Sequence, residues 1–137
     1  MVTSTSRGRS HGRQVLVAVY AVFAIAAGAR SAVQLATKFD EAPVAYLLSA
    51  LAAVIYVVAT VALRYRGERA SHVALGAISI ELVGVLGVGF LSVLDPELFP
   101  DATVWSDFGV GYGFVPLVLP VIGLLWLWKY GDRTRRR

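Results

Sequence analysis

Long apolar stretches alternate with short polar segments along the whole chain. Four of them stand out, at residues 15–37, 43–64, 72–94 and 110–129. Each is close to the roughly 20 apolar helical residues that cross a hydrocarbon core of about 30 Å. Their apolar residues run continuously instead of alternating, which indicates helices and not barrel strands. The pattern predicts an all-α fold: a four-helix transmembrane bundle over residues 14–130.

Polar, basic segments flank this predicted membrane domain. Residues 1–13 contain Ser, Thr, Gly and Arg without an apolar period, so we expect a disordered basic tail. Residues 131–137 form a second basic tail. The first apolar stretch and its Ala27-Gly28-Ala29 resemble a signal peptide and its cleavage site. Because the apolar stretch continues through Leu35, we favour an uncleaved first span.

Charge is distributed unevenly between the two sides that these spans imply. The two tails and the connection after the second span hold eleven basic and two acidic residues, a net charge of +9. The other two connections hold one basic and six acidic residues, a net charge of −5. Basic connections stay in the cytoplasm, so both termini are predicted to be cytoplasmic, in a bacterial cytoplasmic (plasma) membrane.

The overall composition agrees with a membrane protein. The chain is 57% hydrophobic and 16% charged, with a mean hydropathy of +0.66, whereas soluble domains average about 25% charged residues. It has no cysteine, which excludes disulfides and thiolate chemistry. Although the pI is about 9.8, the basic residues flank spans and are expected to meet lipid headgroups. We therefore predict membrane lipids as partners and no nucleic acid.

Two charged residues, Arg30 and Glu81, lie inside the predicted spans. A charge near the middle of a bilayer costs at least about 2.5–3.5 kcal/mol, so such residues usually face protein and have a partner. Both helices would start on the same side, and helical side chains lean toward the helix N-terminus. The Arg30 side chain would thus point toward Glu81, and the sequence predicts an ion pair between the two helices.

Further polar side chains fall at helical spacing near this pair. One interpretation is a proton- or ion-coupled site, because buried carboxylates there could have shifted pKa values. The other is an assembly pair that sets helix register and docks the chain onto itself or onto another membrane protein. We favour assembly, since the sequence offers no second carboxylate or histidine at that depth. The supporting polar residues are Gln34, Ser49, Tyr56 and Thr60.

A glycine-rich segment precedes the fourth span: Gly109, Val110, Gly111, Tyr112 and Gly113. Its V-G-Y-G run resembles the selectivity filter of potassium channels, in which backbone carbonyls replace the water around the ion. The filter threonine position is glycine here, and too few residues precede the run for a full pore helix. The favoured interpretation is a flexible turn at the outer surface, with Trp105, Phe108 and Tyr112 in the interfacial belt of aromatic side chains.

Other chemistry has little support in the sequence. His11 and His72 have no partners at metal-ligand spacing, so we predict no metal site, no cofactor and no enzymatic activity. The acidic residues of the outer connection fit no calcium loop and are expected to form a solvated rim. They are Asp95, Glu97, Asp101 and Asp107.

Three segments and the overall composition carry a resemblance: ARSAVQL (29–35), EL (81–82) and TVWSDFGVGYG (103–113). In these features the chain resembles small four-span integral membrane proteins of actinobacteria, a group without a defined activity. Small multidrug transporters match less well, because their key acid lies in the first span, where this chain has Arg30. The sequence favours a non-catalytic accessory subunit or assembly factor of a plasma-membrane complex. The alternative is a homo-oligomeric small transporter or ion channel that uses Arg30 and Glu81.

Overall fold

The part of the chain that the structure describes folds into four α-helices joined by short turns and one long, structured connection. A computed structural model describes the backbone of residues 2–65 and 67–131 and the side chains of residues 11–65 and 67–129. The helices are α1 (Val2–Thr37), α2 (Pro43–Arg64), α3 (Glu68–Leu94) and α4 (Val115–Trp126). No strand occurs in these ranges. The predicted all-helical fold is confirmed, whereas the cytoplasmic placement of both termini stays a prediction.

The first two helices form an antiparallel pair. A 3₁₀ turn, Phe39–Glu41, joins them, and α2 covers the predicted residues with Pro43 in its first turn. Proline suits that position because its missing N–H would have no intrahelical partner there. The helix α1 starts at Val2 and so continues through residues predicted to be disordered, since extending a helix costs less than nucleating one. The predicted tail at 131–137 lies outside the described residues except for Gly131, which ends the last turn.

The buried side chains of the first three helices recur every three or four residues, the spacing of one helical face. Alanine dominates the buried face of α2, which lets the neighbouring helices approach closely. The buried positions along these faces are Leu16, Tyr20, Ala27, Ser31 and Gln34 in α1, Ala45, Ser49, Ala52, Tyr56, Ala59 and Leu63 in α2, and Ala74, Ile78, Glu81, Val85, Val88 and Ser92 in α3.

Within the described residues, three helical ranges are long and apolar enough to cross a membrane: His11–Thr37, Pro43–Arg64 and Glu68–Leu94. The fourth candidate is broken, because segments Ser106–Tyr112 and Val115–Lys129 meet at 98°. The predicted span at 110–129 is therefore wrong at its start. Gly113 and Phe114 adopt left-handed backbone angles (φ 65° and 61°), and α4 begins only at Val115. With 12 residues, α4 is about 18 Å long.

The connection between α3 and α4 is packed into the bundle. It contains two 3₁₀ segments, Pro96–Leu98 and Ser106–Tyr112. Thr103, Val104 and Trp105 between them are buried, and so is Ser106 at the start of the second segment. The expected position of Trp105 in an interfacial belt is therefore wrong, because its indole lies inside the protein.

Candidate functional site

The middle of the bundle contains a fully buried carboxyl group. Glu81 is the central residue of α3 and is 0% exposed. Its Oε1 accepts a hydrogen bond of 2.6 Å from the Tyr20 hydroxyl of α1. Its Oε2 is buried and has no hydrogen-bond partner among the described residues. This contact links α1 to α3 at the depth where solvent is excluded.

A second hydrogen bond brings α2 and the long connection into the same cluster. The Trp105 indole N–H donates to the Tyr56 hydroxyl at 3.0 Å. The Tyr56 ring lies 6.1 Å from the Tyr20 ring, centroid to centroid, and Phe23 packs edge-on against it at 5.9 Å. We call Tyr20, Tyr56, Glu81 and Trp105 the central cluster. Its members come from three helices and one connection, so it fastens all four segments together.

Glycines on α3 make room for the aromatic side chains of the connection. A Cβ atom added at Gly84 would lie 2.6 Å from the Trp105 ring, and one added at Gly89 would lie similarly close to the Phe108 ring. The connection turns sharply enough to deliver these rings because Asp107, Phe108 and Gly109 adopt left-handed angles. The Ser92 hydroxyl accepts the Asp107 N–H at 2.8 Å and fixes that turn on α3.

Local hydrogen bonds set the conformation of the segment that carries Trp105. The Thr103 hydroxyl accepts the Trp105 backbone N–H at 3.0 Å, and the Ser106 hydroxyl accepts the Thr103 N–H at 2.8 Å. Short hydroxyl side chains commonly stabilise such turns through the nearby backbone. The indole is therefore positioned by its own turn as well as by its contacts with α2 and α3.

The long connection is also tied to α2 through Asp101. The Tyr46 hydroxyl donates to Asp101 Oδ2 at 2.9 Å, and Lys38 Nζ lies 3.8 Å from the same oxygen. The Tyr46 hydrogen bond, assisted by the Ala102 N–H and by Lys38, lowers the pKa of the Asp101 carboxyl. Asp101 is thus a tether, although the sequence suggested only a solvated acidic rim.

The predicted ion pair between Arg30 and Glu81 does not form. Arg30 lies on the exposed side of α1, where its Nη1 donates to the Tyr112 hydroxyl at 3.0 Å. The reason is rotational: the buried face of α1 includes Ser31, and each residue turns the helix by about 100°. Arg30 therefore points away from the face that meets α3.

The predicted supporting residues have separate roles. Gln34 and Ser49 are buried on the faces of α1 and α2, and Tyr56 belongs to the central cluster. The Thr60 hydroxyl donates to its own helix, at Tyr56 O, and contacts no other segment through that bond.

Two carbonyl groups of the glycine-rich segment already accept hydrogen bonds from the nearby backbone. Gly109 O and Val110 O accept hydrogen bonds from the N–H groups of Phe114 and Gly113. Gly109 is buried beside Pro116, whereas Gly111 and Gly113 are exposed. Tyr112 contacts α1, with its ring 5.7 Å from that of Phe23. The segment is a compact turn and not an extended filter, whereas its position at the outer surface stays a prediction.

Sequence reasoning missed Tyr20 and Trp105, the two partners of the predicted cluster residues. For Tyr20 a signal existed, because it lies at helical spacing from Leu16, Ala27 and Gln34. No comparable signal marks Trp105, because its position depends on how the connection folds back onto Gly84.

Chemically, a carboxyl group and two phenols can hold a proton and orient one another through hydrogen bonds. Each member of the central cluster is at most 1% exposed, so the arrangement acts as an internal fastener. No protein-family model, curated protein or solved structure matches this chain. The three to four apolar helices suggest a multi-pass membrane protein, and the resemblance to actinobacterial four-span proteins stays a prediction.

Proposed function

We propose that the protein is a non-catalytic accessory subunit or assembly factor of a plasma-membrane complex, docked through the Arg30 side of α1. The observation that carries this proposal is the exposed position of Arg30 within an apolar helix that can span a membrane. A charged side chain at such a depth usually faces protein or a polar partner. A carboxylate on a partner subunit would provide one.

The surroundings of Arg30 support a fixed docking position. Arg30 lies seven residues before the end of α1 at Thr37, which is about 10 Å along the helix. Its guanidinium is bound to Tyr112, whose ring packs on Phe23, seven residues earlier in α1. The guanidinium therefore lies back along the helix and does not extend toward the nearer helix end, as a snorkelling arginine would.

The central cluster supports the same proposal indirectly. One of its hydrogen bonds joins α1 to α3 and the other joins α2 to the long connection, and the Tyr20–Tyr56 ring contact links the two pairs without using Arg30. The bundle thus has an internal means of holding its helices together, and Arg30 is left for contact with another molecule. The separation of Arg30 from Glu81 gives no support to a transport path that uses both residues.

The test is affinity purification of the full-length protein from its native membrane in mild detergent, followed by mass spectrometry and native sizing. We expect a stoichiometric membrane protein that is retained by Arg30→Lys and lost with Arg30→Leu. Arg69→Leu, which removes an exposed charge at the start of α3, is the matched control and should retain the partner. Circular dichroism should show unchanged helix content in all three variants.

Two outcomes would contradict the proposal. One is equal recovery of the partner with Arg30→Leu and with the control. The other is a pure homo-oligomer that conducts ions in liposomes, which would favour the channel or transporter alternative.

A further inference from the structure

A basic groove lies between α1 and the C-terminal end of α2. Six residues line it, and its volume is about 440 Å³, within the range of roughly 300–1,000 Å³ typical of small-molecule sites. The lining combines two arginines, one tyrosine and one glutamine with an apolar wall. The residues are Arg13, Gln14, Val17, Ala18, Arg64 and Tyr65. We infer that this groove binds one anionic glycerophospholipid, with the phosphate beside the arginines.

Arg13 holds its guanidinium at the groove through contacts with two other elements. Its Nη1 donates to Leu63 O at 3.0 Å and to Tyr65 O at 3.1 Å, at the end of α2. The same guanidinium lies 5.2 Å over the Trp126 ring. The carbonyls at a helix C-terminus carry partial negative charge, and the arginine compensates for it. An anion is therefore not repelled there as it would be at an uncapped helix end.

Arg64 provides the second positive charge and is exposed in the last turn of α2. It has no hydrogen bond or ion pair with another described residue, unlike Arg13. A guanidinium can bind phosphate oxygens through two parallel N–H bonds, which makes arginine well suited to this role. Arg13 comes from α1 and Arg64 from α2, and in this proposal both contact the same phosphate group.

The location and walls of the groove favour a lipid over free phosphate. It lies at the end of two helices that can cross a membrane, and Val17 and Ala18 continue its lining along α1. Tryptophans, which concentrate at membrane interfaces, follow at Trp126 and the exposed Trp128 in the last described turns. An acyl chain can follow the apolar wall while its phosphate stays near the arginines. Basic pockets between membrane helices bind anionic headgroups in this way.

The test is native mass spectrometry of the purified full-length protein, with dioleoyl phosphatidylglycerol or dioleoyl phosphatidylcholine added in detergent. We expect selective retention of one phosphatidylglycerol and about fivefold weaker retention in Arg64→Gln, the effect of one basic residue near an anionic headgroup. Arg69→Gln removes the same charge from the same end of the bundle but lies outside the groove, so it should retain the lipid.

Three results would overturn the inference. The first is equal retention of the two lipids. The second is an equal loss in Arg64→Gln and Arg69→Gln, which would indicate diffuse surface charge. The third is displacement of phosphatidylglycerol by millimolar inorganic phosphate, which would indicate a site for the free anion. Arg64 is exposed and has no hydrogen bond or ion pair with another described residue, so unfolding of the variant should not complicate the comparison, and circular dichroism checks this.

Discussion

The fit of Trp105 against α3 gives the sharpest prediction, because two glycines of one helix face different surroundings. A Cβ atom at Gly84 would lie 2.6, 2.7 and 3.0 Å from three atoms of the Trp105 ring. Carbon atoms normally approach to about 3.5–4.0 Å, so the methyl group would be about 1 Å too close. At Gly87, three residues further along, an added Cβ meets nothing within 4 Å. Gly87→Ala is therefore a matched control for Gly84→Ala.

The expected energies separate the two variants. Replacing glycine by alanine inside a helix stabilises it by up to about 1 kcal/mol, and this gain applies at both positions. At Gly84 the overpacked ring costs about 1–3 kcal/mol. The ring has little freedom to move away, because it is buried and its N–H is bound to Tyr56. The free energy of unfolding should therefore be lower in Gly84→Ala than in Gly87→Ala by about 1–3 kcal/mol.

The assay is unfolding by sodium dodecyl sulfate in mixed micelles, followed by tryptophan fluorescence and circular dichroism. The double variant Gly84→Ala/Trp105→Phe tests the cause, because a smaller ring should recover part of the loss even though its hydrogen bond to Tyr56 is gone. Equal free energies of unfolding for the two alanine variants would refute the described position of Trp105. So would a loss in Gly84→Ala that the double variant does not reduce.

The other predictions use the same unfolding assay. Glu81→Gln keeps an acceptor for the Tyr20 hydroxyl, so its free energy of unfolding should equal or exceed that of the wild type. Glu81→Ala leaves the buried hydroxyl without its partner and opens a cavity, so it should lower the free energy of unfolding by about 2–5 kcal/mol. Equal free energies of unfolding for the two variants would contradict this. Tyr56→Phe should lower the free energy of unfolding by about 1–3 kcal/mol, because the Trp105 N–H stays buried without an acceptor. Its control is Tyr65→Phe, at an exposed position. The pKa of Asp101 is lower in the folded protein than in the unfolded chain, where it is about 3.9. The contribution of Asp101 to the free energy of unfolding should therefore be complete above about pH 3.9, the unfolded pKa, and lost as the pH falls through the folded-state pKa. Asp101→Asn should thus lower the free energy of unfolding by less than about 1 kcal/mol at pH 7, because the group is partly exposed, and should leave it unchanged at low pH. A loss of stability that persists at low pH would contradict the role of Asp101 as a tether.

Both ends of α2 and the C-terminal ends of α1 and α3 fall at the predicted residues, whereas α1 and α3 begin at Val2 and Glu68, before the predicted starts at 15 and 72. The helix α2 ends and begins at the predicted residues, with proline in its first turn. Apolar length alone identified the regions of α1 and α3. The start of α4 could not be found in this way, because glycine and phenylalanine at 113 and 114 adopt left-handed angles inside an apolar stretch. Hydropathy does not record a change of chain direction.

Two members of the central cluster could be predicted from the sequence, but the contacts between its members could not. Tyr56 was expected near Glu81, and the structure places both in the cluster. Arg30 was assigned to the same group although it lies one residue away from the buried face of α1. A rotation of about 100° moves a side chain from the core to the surface without changing its depth by more than 1.5 Å. To predict which residue of α1 contacts Glu81, the buried face of α1 would therefore have to be identified first.

The two proposed contacts of this protein lie far apart, and this makes their tests independent. Arg13 in the basic groove and Arg30 in the docking surface are both in α1, 17 positions or about 25 Å apart along the helix. Arg13 contacts α2 and Trp126, whereas Arg30 contacts Tyr112. Neither arginine hydrogen bonds to the Glu81 carboxyl, so a variant at one position should leave the fold and the other contact intact. If Arg30→Leu releases a protein partner but keeps its lipid, while Arg64→Gln does the reverse, the two surfaces act separately. If either variant loses both ligands, lipid and partner share one binding event, and the docking surface extends along the whole of α1.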